Sequence, residues 1–148
     1  MKTPSDWDAF YLQICEVVAQ QSYAEDRKVG AILVKDDNII AFSYNGTPRG
    51  TDNDTQAHPV LHAEAQAIAK VARSNLSTEN TTLYCTLSPC LDCSKLIYSC
   101  GITRVVYRDK YKCTKGIEFL QQNGVFVNEQ ANHVALIDLE FLKKTGLL

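Results

Sequence analysis

No segment of this 148-residue sequence approaches the roughly 20 consecutive apolar residues that a bilayer-crossing helix needs. The N-terminal stretch MKTPSDWDAF also lacks the uninterrupted apolar run that follows the positive charge of a secretory signal. A soluble, cytoplasmic chain with no membrane partner is therefore expected. An excess of charge of either sign is missing as well. A formal net charge of −2 gives no general attraction to a phosphate polymer, which needs clustered Lys and Arg, so a small molecule is expected as partner rather than nucleic acid. Internal repeats, linkers and low-complexity tracts are absent. With 45% hydrophobic residues, the chain reads as one domain, 1–148, with a core of its own.

Cysteine, by contrast, is plentiful: Cys15, Cys85, Cys90, Cys93, Cys100 and Cys113. In a reducing compartment these read as buried thiols or metal ligands before they read as a disulfide framework. Cys15, Cys85 and Cys100 sit among apolar neighbours and are expected in the core, whereas Cys113 is expected at the surface.

The hydrophobic pattern divides the chain into alternating elements. Trp7, Phe10, Tyr11, Ile14, Val17 and Val18 recur at helical spacing from a cap at Ser5 to about Gln21, with Asp6 and Asp8 at the positive end of the dipole. Two strand-like runs, Val29–Val34 and Asn38–Tyr44, flank a polar Lys35–Asn38 turn and read as an antiparallel hairpin. A long loop rich in Gly, Pro, Asn and Asp covers residues 45–59, and loops of that length in a compact domain usually carry function. An Ala-rich helix is expected from His62 to Ala72, and a strand over Thr81–Leu87. A further helix opens at Pro89 and stops at Cys100-Gly101. ITRVVYR, GIEFLQQNG and GVFVN read as strand, helix and strand, while HVALIDLEFLKK fits either type. The order implies an α/β protein, a three-layer α/β/α sandwich around a mixed five-stranded sheet.

Two short motifs carry chemistry. In Ser88-Pro89-Cys90-Leu91-Asp92-Cys93 a cysteine pair begins a helix, where backbone amides and the dipole favour thiolate. A disulfide, a redox pair and a metal clip all use this spacing. His62-Ala63-Glu64 also begins a helix and points to metal. Two thiolates and one imidazole make three ligands for zinc, and three protein ligands with an open position is the catalytic rather than the closed structural arrangement. Glu64 then stands beside that position as a proton carrier. Residues two apart in a regular helix point about 200° away from each other, so the geometry requires His62 at the cap, before helical backbone begins. His58-Pro59 upstream suits such an extended entry; His58 itself and His133 lack a partner pattern and are expected to be unligated.

The HxE and PCxxC pair resembles the signature of zinc-dependent nucleobase deaminases. Over roughly residues 25–127 the chain resembles the cytidine and deoxycytidylate deaminase superfamily. DRKVGAILV, YNGTPRG, LHAEAQAIAK, TLYCTLSPCLDCSKLIYSCGI and TRVVYRDKY are similar to its deoxycytidylate (dCMP) branch. Ser43 before YNG, Gln66 within HAEAQAI and Ser88, Leu91 and Asp92 around the cysteines depart from the commoner pattern of that branch without removing a ligand.

The resemblance implies hydrolytic deamination of dCMP to dUMP and ammonia, with Zn²⁺ on His62, Cys90 and Cys93 and with Glu64 moving the protons. It also implies a base held by the Ala63 amide, a sugar contact from Asn45 and a pocket wall at Val29. For a 5′-phosphate, Arg27 is the first choice on its bidentate fork, with Tyr111 second. Members of this branch are often hexamers regulated by dCTP and dTTP with Mg²⁺, which places an effector site in the loop carrying Asn45, Gly46, Arg49, Gly50, Asp52 and Asp54. Two other functions share the motifs: a nucleic-acid deaminase of the tRNA adenosine type, and a non-catalytic zinc-containing nucleotide sensor.

Overall fold

The computed structural model describes residues 3–54, 60–130, 143, 144 and 146. The first helix, α1 (Pro4–Ala19), is capped by Thr3 rather than by Ser5. The Thr3 hydroxyl accepts the Asp6 N–H, the Asp6 carboxylate accepts the Thr3 N–H in return, and Pro4 takes the first helical position, where no amide is needed. Strands β1 (Gly30–Lys35) and β2 (Asn38–Tyr44) form the expected hairpin. Its two central residues, Asp36 and Asp37, both have positive φ, at 48° and 64°, the backbone of the tight turn whose twist matches paired strands.

The chain then supplies α2 (Ala63–Ala72), β3 (Thr82–Leu87), α3 (Leu91–Ser99), β4 (Arg104–Asp109), α4 (Lys115–Gln122) and β5 (Phe126–Glu129). The sheet order is β2-β1-β3-β4-β5, antiparallel across β2, β1 and β3 and parallel across β3, β4 and β5. Pro89 does not open α3. The helix starts at Leu91 with Cys90 as its cap, because the Cys90 sulfur takes the Cys93 N–H and Pro89 is left in the extended lead-in. Gly101 ends the helix as expected, at φ 83°.

Strand alternation sorts the core into two halves. Ile32 and Val34 of β1, Tyr84 of β3 and Val106 of β4 face α1, meeting Tyr11, Leu12, Cys15 and Val18. Ala31, Leu33, Leu83, Cys85, Val105 and Tyr107 point the other way, onto Ala63, Ala67 and Val71 of α2, Ile97 of α3 and Ile117 and Leu120 of α4. Among the described residues, one helix on one face and three on the other make the three-layer sandwich. Cys15 and Cys85 are fully buried, Cys100 is partly buried against the larger core half, and Cys113 is exposed, as expected. HVALIDLEFLKK lies outside the described residues apart from Lys143 and Lys144. Among the described residues no helix is long and apolar enough to cross a membrane.

Candidate metal and active site

Two helix N-termini meet at the site. His62 caps α2 with extended backbone, φ −70° and ψ 153°, so its ring and the Glu64 side chain are not held to helical spacing, as the sequence required. A single antiparallel bridge positions the histidine: Gly46 and Leu61 exchange both backbone hydrogen bonds, at 3.1 and 2.8 Å. Gln66 donates to the Gly46 and Thr47 carbonyls and ties the same loop to α2. Cys90 and Cys93 come from the start of α3, which follows directly on central strand β3.

The His62 Nδ1 lies 3.5 Å from the Cys90 sulfur and 3.3 Å from the Cys93 sulfur. All three donor atoms fall within 4.8 Å of one another. A tetrahedral zinc with bonds of about 2.1 Å to nitrogen and about 2.3 Å to sulfur separates those atoms by about 3.6 Å, so the donor set fits one zinc ion. Burial pushes the Cys93 thiol up, and Glu64 and Cys90 push it the same way. A divalent cation among the donors would favour the thiolate form against that burial.

Glu64 is 4% exposed, and burial raises its carboxyl above the usual range against the opposing pull of Cys93 and His62. Glu64 and the Cys93 thiol are close enough to shift each other's titration. Glu64 and two of the donors, His62 and Cys90, line a cleft of about 410 Å³ whose lining also includes Arg27, Val29, Asn45, Ala63 and Tyr111; the third donor, Cys93, is buried. Every residue expected at the substrate thus reaches one cavity. His58 lies outside the described residues.

Within that cavity the roles differ from the expectation in detail. The Asn45 amide is largely engaged with the protein. Its Oδ1 accepts from the Val29 N–H at 2.9 Å and the Ser22 hydroxyl at 2.9 Å, and its Nδ2 donates to the Arg27 carbonyl at 2.7 Å. Among the described residues the second amide hydrogen has no partner. Arg27 pairs with Asp109 at 2.9 Å, and Asp109 also receives Arg108 at 3.0 Å. The Ser88 hydroxyl accepts the Tyr111 N–H at 2.7 Å while the Ser88 N–H donates to the Asp109 carbonyl, which holds Tyr111 over the cleft. Ser88 and Asp109 fall within segments singled out in the sequence, but nothing there assigned them these contacts, and Ser22 lies in no motif.

The expected effector residues divide. Gly46, Arg49 and Gly50 line a second cavity of about 420 Å³, together with Tyr23, Phe42 and Lys70. Asn45 faces the first cavity instead. Asp52 and Asp54 line neither: the Asp52 carbonyl receives Thr47 and its carboxylate receives the Asp54 N–H, a turn within the loop.

A mixed sheet with a buried glutamate and a His/Cys/Cys donor set at two helix starts defines a zinc-binding deaminase domain. The cytidine and deoxycytidylate deaminase zinc-binding region matches residues 5–109, and the chain belongs to that family. Several of its relatives are deoxycytidylate deaminases. One, from Saccharomyces cerevisiae, is 31% identical over 139 residues, covering 83% of this chain and 44% of that protein. Another, from Mycobacterium phage D29, is 38% identical over 122 residues, covering 69% of this chain and 94% of that protein. The crystal structure of dCMP deaminase from the cyanophage S-TIM5 in complex with dCMP and dUMP superposes with a TM-score of 0.79 at 42% identity, covering 87% of this chain and 99% of that one. The chain spans less than half the length of the yeast relatives it matches.

Proposed function

We propose that this chain is a zinc-dependent hydrolase that converts dCMP to dUMP and ammonia. The observation that carries the reading is the buried Glu64 beside a clustered His62/Cys90/Cys93 donor set, with Glu64, His62 and Cys90 lining an open cleft. Zinc held by these three side chains would bring the pKa of a water in its remaining position down toward about 7.

The chain's own groups account for the rest. Burial raises the Glu64 carboxyl above its ordinary range, which favours the protonated form and suits a carrier between the ring N3 and the departing amine. The Ala63 backbone and the Val29 side chain border the space for the base. Arg27 is the one Lys or Arg among the described residues lining the cleft. Its pair with Asp109 is half-exposed, at 52% and 42%, and such pairs are worth about 0–1 kcal/mol, so a phosphate displaces the carboxylate at little cost. Glu25 and Asp26 line the same cleft, which makes Arg27 decisive for an anionic substrate. Asn45 keeps one amide hydrogen for the sugar.

The same reading extends to regulation by dCTP and dTTP with Mg²⁺ in the second cavity. Burial lowers the Lys70 pKa, and neighbouring Arg49 lowers it further; an anionic effector would offset the repulsion between the two cations. Assembly of several copies, as in a hexamer, belongs to this reading and is supported by exposed Tyr23, Phe42 and Phe126.

The test uses the zinc-loaded protein with dCMP, deoxycytidine, cytidine and a cytosine- and adenosine-containing oligonucleotide, following the ultraviolet change of each. Turnover of dCMP well above the others is expected; turnover of the oligonucleotide alone would overturn the assignment. Glu64→Gln should retain zinc and lose at least about 10³-fold in kcat, within the range of general acid–base contributions.

A further inference from the structure

A glycine in a helix usually answers one of two needs, a positive φ or the absence of a side chain. Gly116, in the first turn of α4, has no positive φ. On helix propensity alone alanine would be the better residue there. The reason for glycine is space. A Cβ at this position would lie 2.3 Å from the Pro89 carbonyl oxygen, 2.8 Å from the Cys90 carbonyl carbon and 2.7 Å from the Ser94 hydroxyl. Two of those atoms are backbone, so they cannot swing aside as the end of a long side chain would.

All three contacts fall in the segment that presents Cys90 and Cys93. Ser94 is fully buried, and its hydroxyl has no hydrogen-bond partner among the described residues; it is held there by packing. Gly116 itself is buried, between Lys115 and Ile117, and Ile117 inserts into the core with Ile97 of α3. The first turn of α4 therefore bears directly on the peptide carbonyl between Pro89 and Cys90, with no side chain in between.

We infer that Gly116 is a positioning residue for the metal site: its bare Cα lets α4 brace the Pro89–Ser94 turn, and that brace sets where the two sulfurs stand relative to the His62 ring. The inference rests on the zinc reading above. Its consequence is a remote one, since Gly116 touches neither metal nor substrate. Shifting the turn by the several tenths of an ångström that a methyl group demands pulls the sulfurs off the donor spacing measured here, and loss of supporting contacts around a metal site typically costs about 10- to 100-fold in affinity.

The experiment compares zinc release from wild type, Gly116→Ala and Ile117→Ala. Each zinc-loaded protein is challenged with EDTA, and released zinc is counted by atomic absorption while circular dichroism follows the fold. Gly116→Ala should release zinc at least about tenfold faster with helix content retained. Ile117→Ala loosens the same helix without pressing on the ligand turn, and should release zinc near the wild-type rate. Equal rates for wild type and Gly116→Ala overturn the inference, as do equally fast rates for both variants, which would make stability the whole effect. Ser94→Thr adds a methyl to the buried partner at the same contact and is read in the same assay. If Gly116→Ala gives no folded protein, faster release from Ser94→Thr supports the inference and a wild-type rate overturns it. Wild type that binds no zinc would instead sink the metal reading itself, a separate outcome.

Discussion

Asn45→Ala separates two roles for one side chain. If Asn45 serves only the sugar, its removal weakens substrate binding and leaves the fold alone. The structure gives it a second task. Its Oδ1 satisfies the N–H of Val29, a residue only 8% exposed, and its Nδ2 satisfies the Arg27 carbonyl. Ser22 is less dependent, because its hydroxyl also donates to the backbone carbonyl of residue 45 at 2.6 Å. Truncation thus strands one buried donor, at about 1–3 kcal/mol, and removes one ordinary hydrogen bond, at about 1 kcal/mol. The sum is about 3 kcal/mol. For a chain of this size each kcal/mol lowers Tm by about 3 °C, so Asn45→Ala should melt about 9 °C below wild type. Thermal unfolding by circular dichroism measures this, with zinc saturating in both samples because a bound ligand shifts Tm by mass action. An unfolding temperature within about 2 °C of wild type would refute the scaffolding argument and return Asn45 to the sugar alone.

Two further outcomes concern stability. Asp8 is buried on α1, where it receives the Tyr84 hydroxyl at 2.8 Å and both terminal nitrogens of Arg104 at 2.9 and 2.6 Å. Asp8→Ala leaves a half-buried guanidinium without its partner and should cost about 3 kcal/mol in a urea titration; no shift in the midpoint would show the clamp to be worthless. Burial also raises the Cys15 thiol and the Tyr84 phenol above their ordinary ranges. The folded state therefore keeps protons that the unfolded chain gives up. Stability is fully present below the ordinary thiol pKa of about 8.5 and falls as pH rises past it, by at most about 1.4 kcal/mol per pH unit for each such group. Urea midpoints at pH 8 and 10, where a constant midpoint would contradict the argument, check this sign.

Residue by residue, the local chemistry was legible early. The α1 stripe, the Asn38–Tyr44 strand and the Gly101 stop follow from periodicity and backbone preference, which neighbours in sequence determine. His62 at a cap could be required from geometry before any coordinates, because an imidazole and Glu64 two residues apart cannot share a site on a regular helix. The caps themselves were harder. Ser5 and Thr3 are both competent, and Pro4 at the first helical position with Asp6 returning a bond to Thr3 decides between them. At Pro89 the expected helix start moved because the Cys90 sulfur, not an oxygen, takes the capping role.

The sequence by itself determined which groups can do chemistry: three donors of suitable softness, a carboxylate beside one of them, and elements of the right type and order around a mixed sheet. Those are properties of side chains and of short-range periodicity, and they survive without knowing how the chain turns. The tertiary structure alone decided that the donors stand within 4.8 Å of each other, that Asp109 answers Arg27, that Asn45 is tied up by Ser22, Val29 and Arg27, and that Gly116 leaves room for the cysteine turn. Each of these joins positions brought together by strand order and helix packing, and a distance of that kind is set by the whole core rather than by either residue's neighbours.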